Sequence, residues 1–145
     1  MITYRTNKSP FMRNTFLAGL IVILFSSCGP NPTKSRFHLE NAIEQIYLAK
    51  NVEAIEELEL AIKYDPQSYE AYYYRGACKR NLKDYDGAIA DYNKSIELNP
   101  LYAEPYFSLA ILYDFLQDSD LACFYYLKAE ELGKPNIGDY TKRCK

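Results

Sequence analysis

Between residues 52 and 66 the apolar positions follow helical spacing, and small residues bracket a large one: Ala54, Leu58, Ala61. The same order returns 34 positions later as Ala88, Tyr92, Ser95, and again as Ala122, Tyr126, Ala129. Residues three or four apart share one face of a helix, so each triplet predicts a helix whose buried side is narrow at two points and bulky between them. Asp65-Pro66 and Asn99-Pro100 predict helix ends, because proline disfavours a helical conformation in the residue before it. In the third unit Lys134 takes the proline phase and Pro135 follows. Asp84, Asp86, Asp118 and Asp120 stand where these helices begin, suited to cap free amides and to meet the positive end of the helix dipole. An earlier helix in each unit shows in Tyr72, Gly76 and Leu82, repeated as Tyr106, Ala110 and Leu116. Glycine inside a helix costs about 1 kcal/mol against alanine and is tolerated where another helix must come very close.

A fixed period of helix pairs predicts a solenoid in which each unit packs mainly on its neighbours. These residues resemble the tetratricopeptide repeat family, with Tyr72, Gly76, Tyr85, Ala88, Tyr92, Ser95 and Pro100 carrying the pattern in one unit. Tyr106, Ala110, Tyr113, Ala122, Tyr126 and Ala129 carry it in the next. The resemblance covers about residues 35–134 and implies an all-α helix-turn-helix solenoid of three 34-residue repeats, at 35–68, 69–102 and 103–136. The first unit matches least. Its opening helix, about Arg36 to Leu48, has Ala42 at the small phase but His38 where the aromatic belongs, which predicts a frayed or shifted terminal helix. One further period places Ile137, Tyr140 and Cys144 at apolar, aromatic and small phases, so residues 137–145 are expected to form a short capping helix.

The chain before the repeats has a different character. Arg5, Lys8 and Arg13 precede an unbroken apolar run from Phe16 to Phe25, then Ser26-Ser27-Cys28 and the helix-breaking Gly29-Pro30. A charged start, a short apolar core and small residues at a cleavage point predict a secretory signal peptide over residues 1–27. Ten apolar residues are well below the roughly 18 that a membrane-spanning helix needs. Ser26-Ser27-Cys28 resembles the lipobox of bacterial lipoproteins, with Phe25 where that family most often has Leu. The resemblance implies cleavage before Cys28, acylation of its thiol and a membrane anchor. Gly29 after the cysteine, in place of an inner-membrane-retaining Asp, implies the outer membrane of a bacterial envelope. Residues 28–34 then read as lipidated cysteine and polar tether, with Asn31 to Ser35 as its polar part.

Loss of residues 1–27 removes three basic residues and no acidic one, so 17 basic and 19 acidic become 14 and 19, a net charge of −5. No basic stripe exists to neutralise phosphates, which argues against nucleic acid as partner. Catalytic chemistry has little to work with. The one histidine, His38, lies in the terminal helix, where a surface or half-buried role is expected. No glycine-rich phosphate loop, paired Cys-x-x-Cys or His-x-x-x-His is present, so no cofactor, metal or catalytic residue is implied. Glu53, Glu56, Glu57 and Glu59 read as a solvated outer face. Of the 15 tyrosines, Tyr72, Tyr85, Tyr92, Tyr106, Tyr113, Tyr126 and Tyr140 fall at core phases. Of the remaining thiols, Cys123 stands where Ile55 and Ile89 stand in the earlier units, at a phase facing the next helix, which bears Cys144. An exported protein can keep a disulfide. The stretch from Ala122-Cys123 to Cys144 also resembles a recurrent ending of exported bacterial repeat proteins, which implies a Cys123–Cys144 bridge; two buried thiols are the alternative. Cys78 is expected to pack between helices.

The phases not used for packing on the opening helices should face the concave side of the superhelix. They are Leu39, Ile43, Ile46 and Tyr47 in the first unit and Glu70, Tyr73, Ala77, Arg80 and Asn81 in the second. In the third they are Glu104, Phe107, Ile111, Asp114 and Phe115. An apolar, aromatic groove around Tyr47, Tyr73, Arg80, Asn81, Phe107, Ile111 and Phe115 implies a protein partner, either a peptide segment or a helix, or else self-association with a second copy. The expected function is a non-enzymatic, lipid-anchored adaptor of the bacterial envelope. The alternative is a structural subunit built permanently into an envelope complex.

Overall fold

In a computed structural model, residues 29–144 are described, and every regular element among them is helical. The signal-peptide segment and Cys28 lie outside the described residues. Six helices form three antiparallel pairs: α1 (Pro32–Tyr47) with α2 (Asn51–Tyr64), α3 (Tyr69–Asn81) with α4 (Tyr85–Leu98), and α5 (Ala103–Phe115) with α6 (Ser119–Glu131). A short α7 (Gly138–Thr141) continues into a 3-10 turn at Lys142–Cys144. The pairs stack in chain order, giving the expected solenoid with its C-terminal cap.

The small-large-small triplets form the centre of each pair. Ala54, Leu58 and Ala61, then Ala88, Tyr92 and Ser95, then Ala122, Tyr126 and Ala129 are all buried. Each opening helix ends in the same way. Ala49, Lys83 and Gln117, one period apart, adopt left-handed backbone at φ 59°, 67° and 65°, which turns the chain back within two or three residues. Asp84 and Asp118 cap the second helices, accepting from the amides of Gly87 at 3.0 Å and Leu121 at 3.1 Å. In the first unit Lys50 holds that place and makes no side-chain cap bond.

Two expectations change at the start of the solenoid. The polar tether ends sooner than residue 34, because the helix begins at Pro32. Proline at the first helical position already has the φ a helix needs, and the Asn31 side chain accepts from the Lys34 amide at 3.0 Å. The first helix is also neither frayed nor shifted: Ala42 is fully buried in phase with Gly76 and Ala110. Its outward side shows why it is terminal. Ala71, Tyr74 and Cys78 of α3 pack on α2, and Pro105, Ser108 and Leu112 occupy the same phases in α5. In α1 these phases hold Phe37, Glu40 and Glu44, all exposed, so two carboxylates meet solvent where inner units bury a neighbour.

The far end is closed by the cap. Ile137 and Thr141 are buried, and the Thr141 hydroxyl donates to Glu130 Oε1 at 2.8 Å. Tyr140 stacks on Tyr126 with ring centroids 4.9 Å apart. Cys123 of α6 and Cys144 are joined by a disulfide with Cα atoms 5.3 Å apart. Cys78 is buried, and burial pushes its thiol up to about 11, so it stays protonated.

Candidate functional site

The groove candidates do not act as one strip. Tyr73 is half-buried and turned into the stack: its ring meets those of Tyr74 at 5.1 Å, Tyr102 at 5.3 Å and Tyr92 at 6.0 Å. Tyr102, the residue just before α5, folds over Tyr73; its phenol is pushed above the usual range by burial, then by Tyr73 and Glu104. Phe107 is enclosed by the cap. Tyr126 and Tyr140 approach its ring at 5.9 Å each, and the Lys134 ammonium sits 5.6 Å from its centroid. Leu39 is buried, while Ile43 and Ile46 pack against the first core. Tyr47 stands at the open end and is 87% exposed.

Arg80, Ile111 and Phe115 do come together. With Tyr85 and Leu112 they line an open cavity of about 200 Å³ between the second and third units. Leu112 is the buried floor, Phe115 is 64% exposed, and its ring leans on Tyr85 at 5.3 Å. Sequence phase placed Arg80, Ile111 and Phe115 on this side but not Tyr85, which joins from the start of α4. The equivalent place one unit earlier is built from the same phases and differs in kind. Asn51 and Asn81 stand where Tyr85 and Phe115 do, and Asn81 Nδ2 donates to Asn51 Oδ1 at 3.0 Å. Ala77 there replaces Ile111. Asn81 is therefore a link between units, where the second-to-third junction carries an apolar cavity. A larger, more polar cavity of about 350 Å³ lies at the first unit, lined by Arg36, Leu39, Ile43 and Glu70 among others.

A polar centre repeats inside the first two pairs. Arg75 donates to Asp91 through Nε at 2.8 Å and a terminal nitrogen at 2.7 Å, and Lys79 reaches the same carboxylate at 2.8 Å. Asp91 is 4% exposed, so two cations balance one buried charge; the bond to Asp91 raises the Arg75 pKa further. One unit earlier, His38 Nδ1 lies 2.7 Å from Glu57 Oε2, and Asn41 donates to the same oxygen at 3.4 Å. Glu57 thereby leaves the solvated acidic face assigned to it, because α1 brings His38 across to it. His38 also stacks on Tyr64 at 5.4 Å, which fixes it as part of the pair's packing. In the third unit the same phases hold Leu109, Tyr113 and Tyr125, with the two tyrosines stacked 5.6 Å apart. The signal was present in the sequence: Asn41 and Arg75, and Glu57 and Asp91, lie one period apart.

Among the described residues no group of three or more His, Cys, Asp or Glu is placed to hold a metal ion, and no helix is long and apolar enough to cross a membrane.

Helix pairs of this length, stacked by small residues at fixed phases and leaving one concave face, define a tetratricopeptide-repeat solenoid. Family models described as tetratricopeptide repeat match residues 69–102 and 91–143. Among solved structures, the first TPR of Spaghetti (RPAP3), bound to an HSP90 peptide, is 21% identical with a TM-score of 0.74, covering 79% of this chain and 93% of that one. The first TPR domain of human RPAP3 is 22% identical with a TM-score of 0.72, covering 79% and 91%. The crystal structure of MamA is 22% identical with a TM-score of 0.67, covering 86% and 81%. At these identities the likeness is one of fold. No curated protein matches the sequence.

Proposed function

We propose that this chain is a non-enzymatic protein-interaction module that seats a peptide or helix of its partner in the concave groove. The observation that carries this reading is the open cavity under Phe115 and Ile111, with its exposed aromatic rim. Exposed contiguous apolar surface in a concavity marks a binding site more often than an accident of folding. The structure of a fold relative with an HSP90 peptide bound is in keeping with it. We further propose that acylated Cys28 anchors the module in a bacterial envelope, at the outer membrane. Residues 1–27 are then a cleaved signal peptide, and Asn31-Pro32 holds the first helix close to the lipid.

The test is photocrosslinking in native membranes from position 115, with position 56 on the outer face as control. Specific adducts at 115 alone are expected; equal adducts at both positions would remove the groove from the account. For the anchor, mass analysis should find the wild-type chain starting at an acylated Cys28, and a Cys28→Ser chain should carry no acyl mass and retain its full N-terminal segment.

A second reading has its own observation. Leu48, Leu82 and Leu116, one period apart, are all exposed at the helix-turn edge. A row of this kind suits a subunit built permanently into a complex. Sedimentation decides: a monomeric chain in detergent supports the adaptor, and a chain that is stable only within a larger assembly supports the subunit.

A further inference from the structure

The cavity between the second and third units has a chemistry of its own, and the neighbouring ion pairs define it. The cations around the groove are engaged. Arg36 pairs with Glu40 at 3.1 Å and Lys134 with Glu104 at 3.3 Å, while Arg143 stands 3.7 Å from Asp114. On α3 itself, Arg75 and Lys79 are both committed to Asp91. The guanidinium of Arg80, the next residue, forms no hydrogen bond or ion pair with a described residue, and Arg80 lines the wall of the cavity. The rest of that wall is Tyr85, Ile111, Leu112 and Phe115, with no carboxylate among them.

From this juxtaposition we infer that the cavity takes one large aliphatic or aromatic side chain of an acidic peptide segment, with a carboxylate beside that anchor paired to Arg80. This inference rests on the groove reading above and names the partner's chemistry. Two physical points support it. A space of about 200 Å³ with an apolar floor holds a single bulky side chain, which excludes water and makes the seat specific. An arginine at the rim of a low-dielectric pocket attracts a carboxylate more strongly than it would in bulk solvent, and it rejects a lysine at the same place. The first-to-second junction provides an internal contrast. Ala77 and the closed Asn51–Asn81 bond leave no apolar seat there, and the residue at Arg80's phase is Ile46. One anchor site with one charge is therefore expected, rather than a repeated array.

The test uses the full chain in detergent micelles and short labelled peptides in a Gly/Ser background, read by fluorescence anisotropy. The probes carry a central Phe flanked by Glu, the same Phe flanked by Lys, and Ala flanked by Glu. The Glu-flanked Phe peptide should bind about tenfold more tightly than the Lys-flanked one, which lacks the charge pair, and about tenfold more tightly than the Ala peptide, which lacks the apolar anchor. Arg80→Glu should reverse the order of the two Phe peptides, and Ile111→Asp should abolish binding of both, each variant keeping the wild-type circular dichroism spectrum. Equal affinity for Glu- and Lys-flanked peptides, or an order unmoved by Arg80→Glu, overturns the charge assignment. If Ile111→Asp still abolishes binding in that case, the groove reading stands without it. Absence of binding by the Glu-flanked Phe peptide at millimolar concentration also overturns the assignment, and the crosslinks from position 115 then decide whether the groove reading survives. Binding that ignores Ile111→Asp removes the cavity as the seat altogether.

Discussion

Gly76 faces the Tyr92 ring so closely that a methyl group on its Cα would lie 2.9 Å from both Cδ1 and Cε1, and 3.2 Å from the Ala88 carbonyl. Tyr92 is fully buried and cannot swing away. Alanine at this position gains about 1 kcal/mol of helix propensity but overpacks the centre of the middle repeat, which costs about 1–3 kcal/mol. Gly76→Ala is expected to lower the unfolding free energy by about 1 kcal/mol, an inversion of the usual glycine-to-alanine gain in a helix. Urea unfolding followed by circular dichroism checks it, and a stabilised variant would show that Tyr92 has room to move.

Ser95 is the one hydroxyl among three small residues at its phase, and its Oγ is buried without a hydrogen-bond partner among the described residues. Ala61 and Ala129 hold the same place in the neighbouring units. A buried donor left unpaired costs about 1–3 kcal/mol, so Ser95→Ala should stabilise the fold by about 1 kcal/mol. A higher urea midpoint with an unchanged slope is the expected result.

The cap is held by Ile137, Thr141, the Tyr126–Tyr140 stack and the Cys123–Cys144 bond. With a sequence separation of 21, the cross-link is worth about 3 kcal/mol in the chain-entropy model. Cys144→Ser should remove much of that and speed amide hydrogen exchange at Tyr140 and Thr141. The amides of Ala54 and Leu58, two units away, should be protected as before. Uniform loss of protection along the chain would mean that the cap and the first repeat unfold together.

Burial pushes the phenols of Tyr92 and Tyr126 up to about 12, from an ordinary value of 10.0. Below pH 10 both states hold these protons, and the groups contribute no pH dependence. Above it the unfolded chain ionises first, so stability should fall as pH rises from about 10 to 12. Phenolate absorbance should show a late-titrating class of tyrosines that appears with loss of helix. Tyr92→Phe should shrink that class, and a single early titration of all tyrosines would contradict it.

The repeat was legible because it is written in volumes at a fixed spacing. Ala54, Leu58 and Ala61 share one helix face by geometry alone, and their recurrence at Ala88, Tyr92 and Ser95 fixes the period before any contact is known. The groove was legible only as a direction. Phase puts Tyr73, Arg80, Phe107, Ile111 and Phe115 on the opening helices' concave side, but it does not say which of them a neighbour will cover. Tyr102 folds over Tyr73, and the cap brings Tyr140 onto Phe107, each across a turn whose path the phase leaves open. The polar centres went unread for a related reason. Arg75, Lys79 and Asp91 look like ordinary surface charges until α3 and α4 close on each other and bury the carboxylate.

The sequence by itself determined the helices, the 34-residue period and which side chains share each helix face, because these follow from side-chain size and the pitch of one helix. Only the tertiary structure decided that Tyr85 joins Arg80, Ile111, Leu112 and Phe115 around one cavity, and that Asn51 and Asn81 close its counterpart. Those outcomes depend on which side chains meet between successive units, and that is set by packing across helices rather than along them.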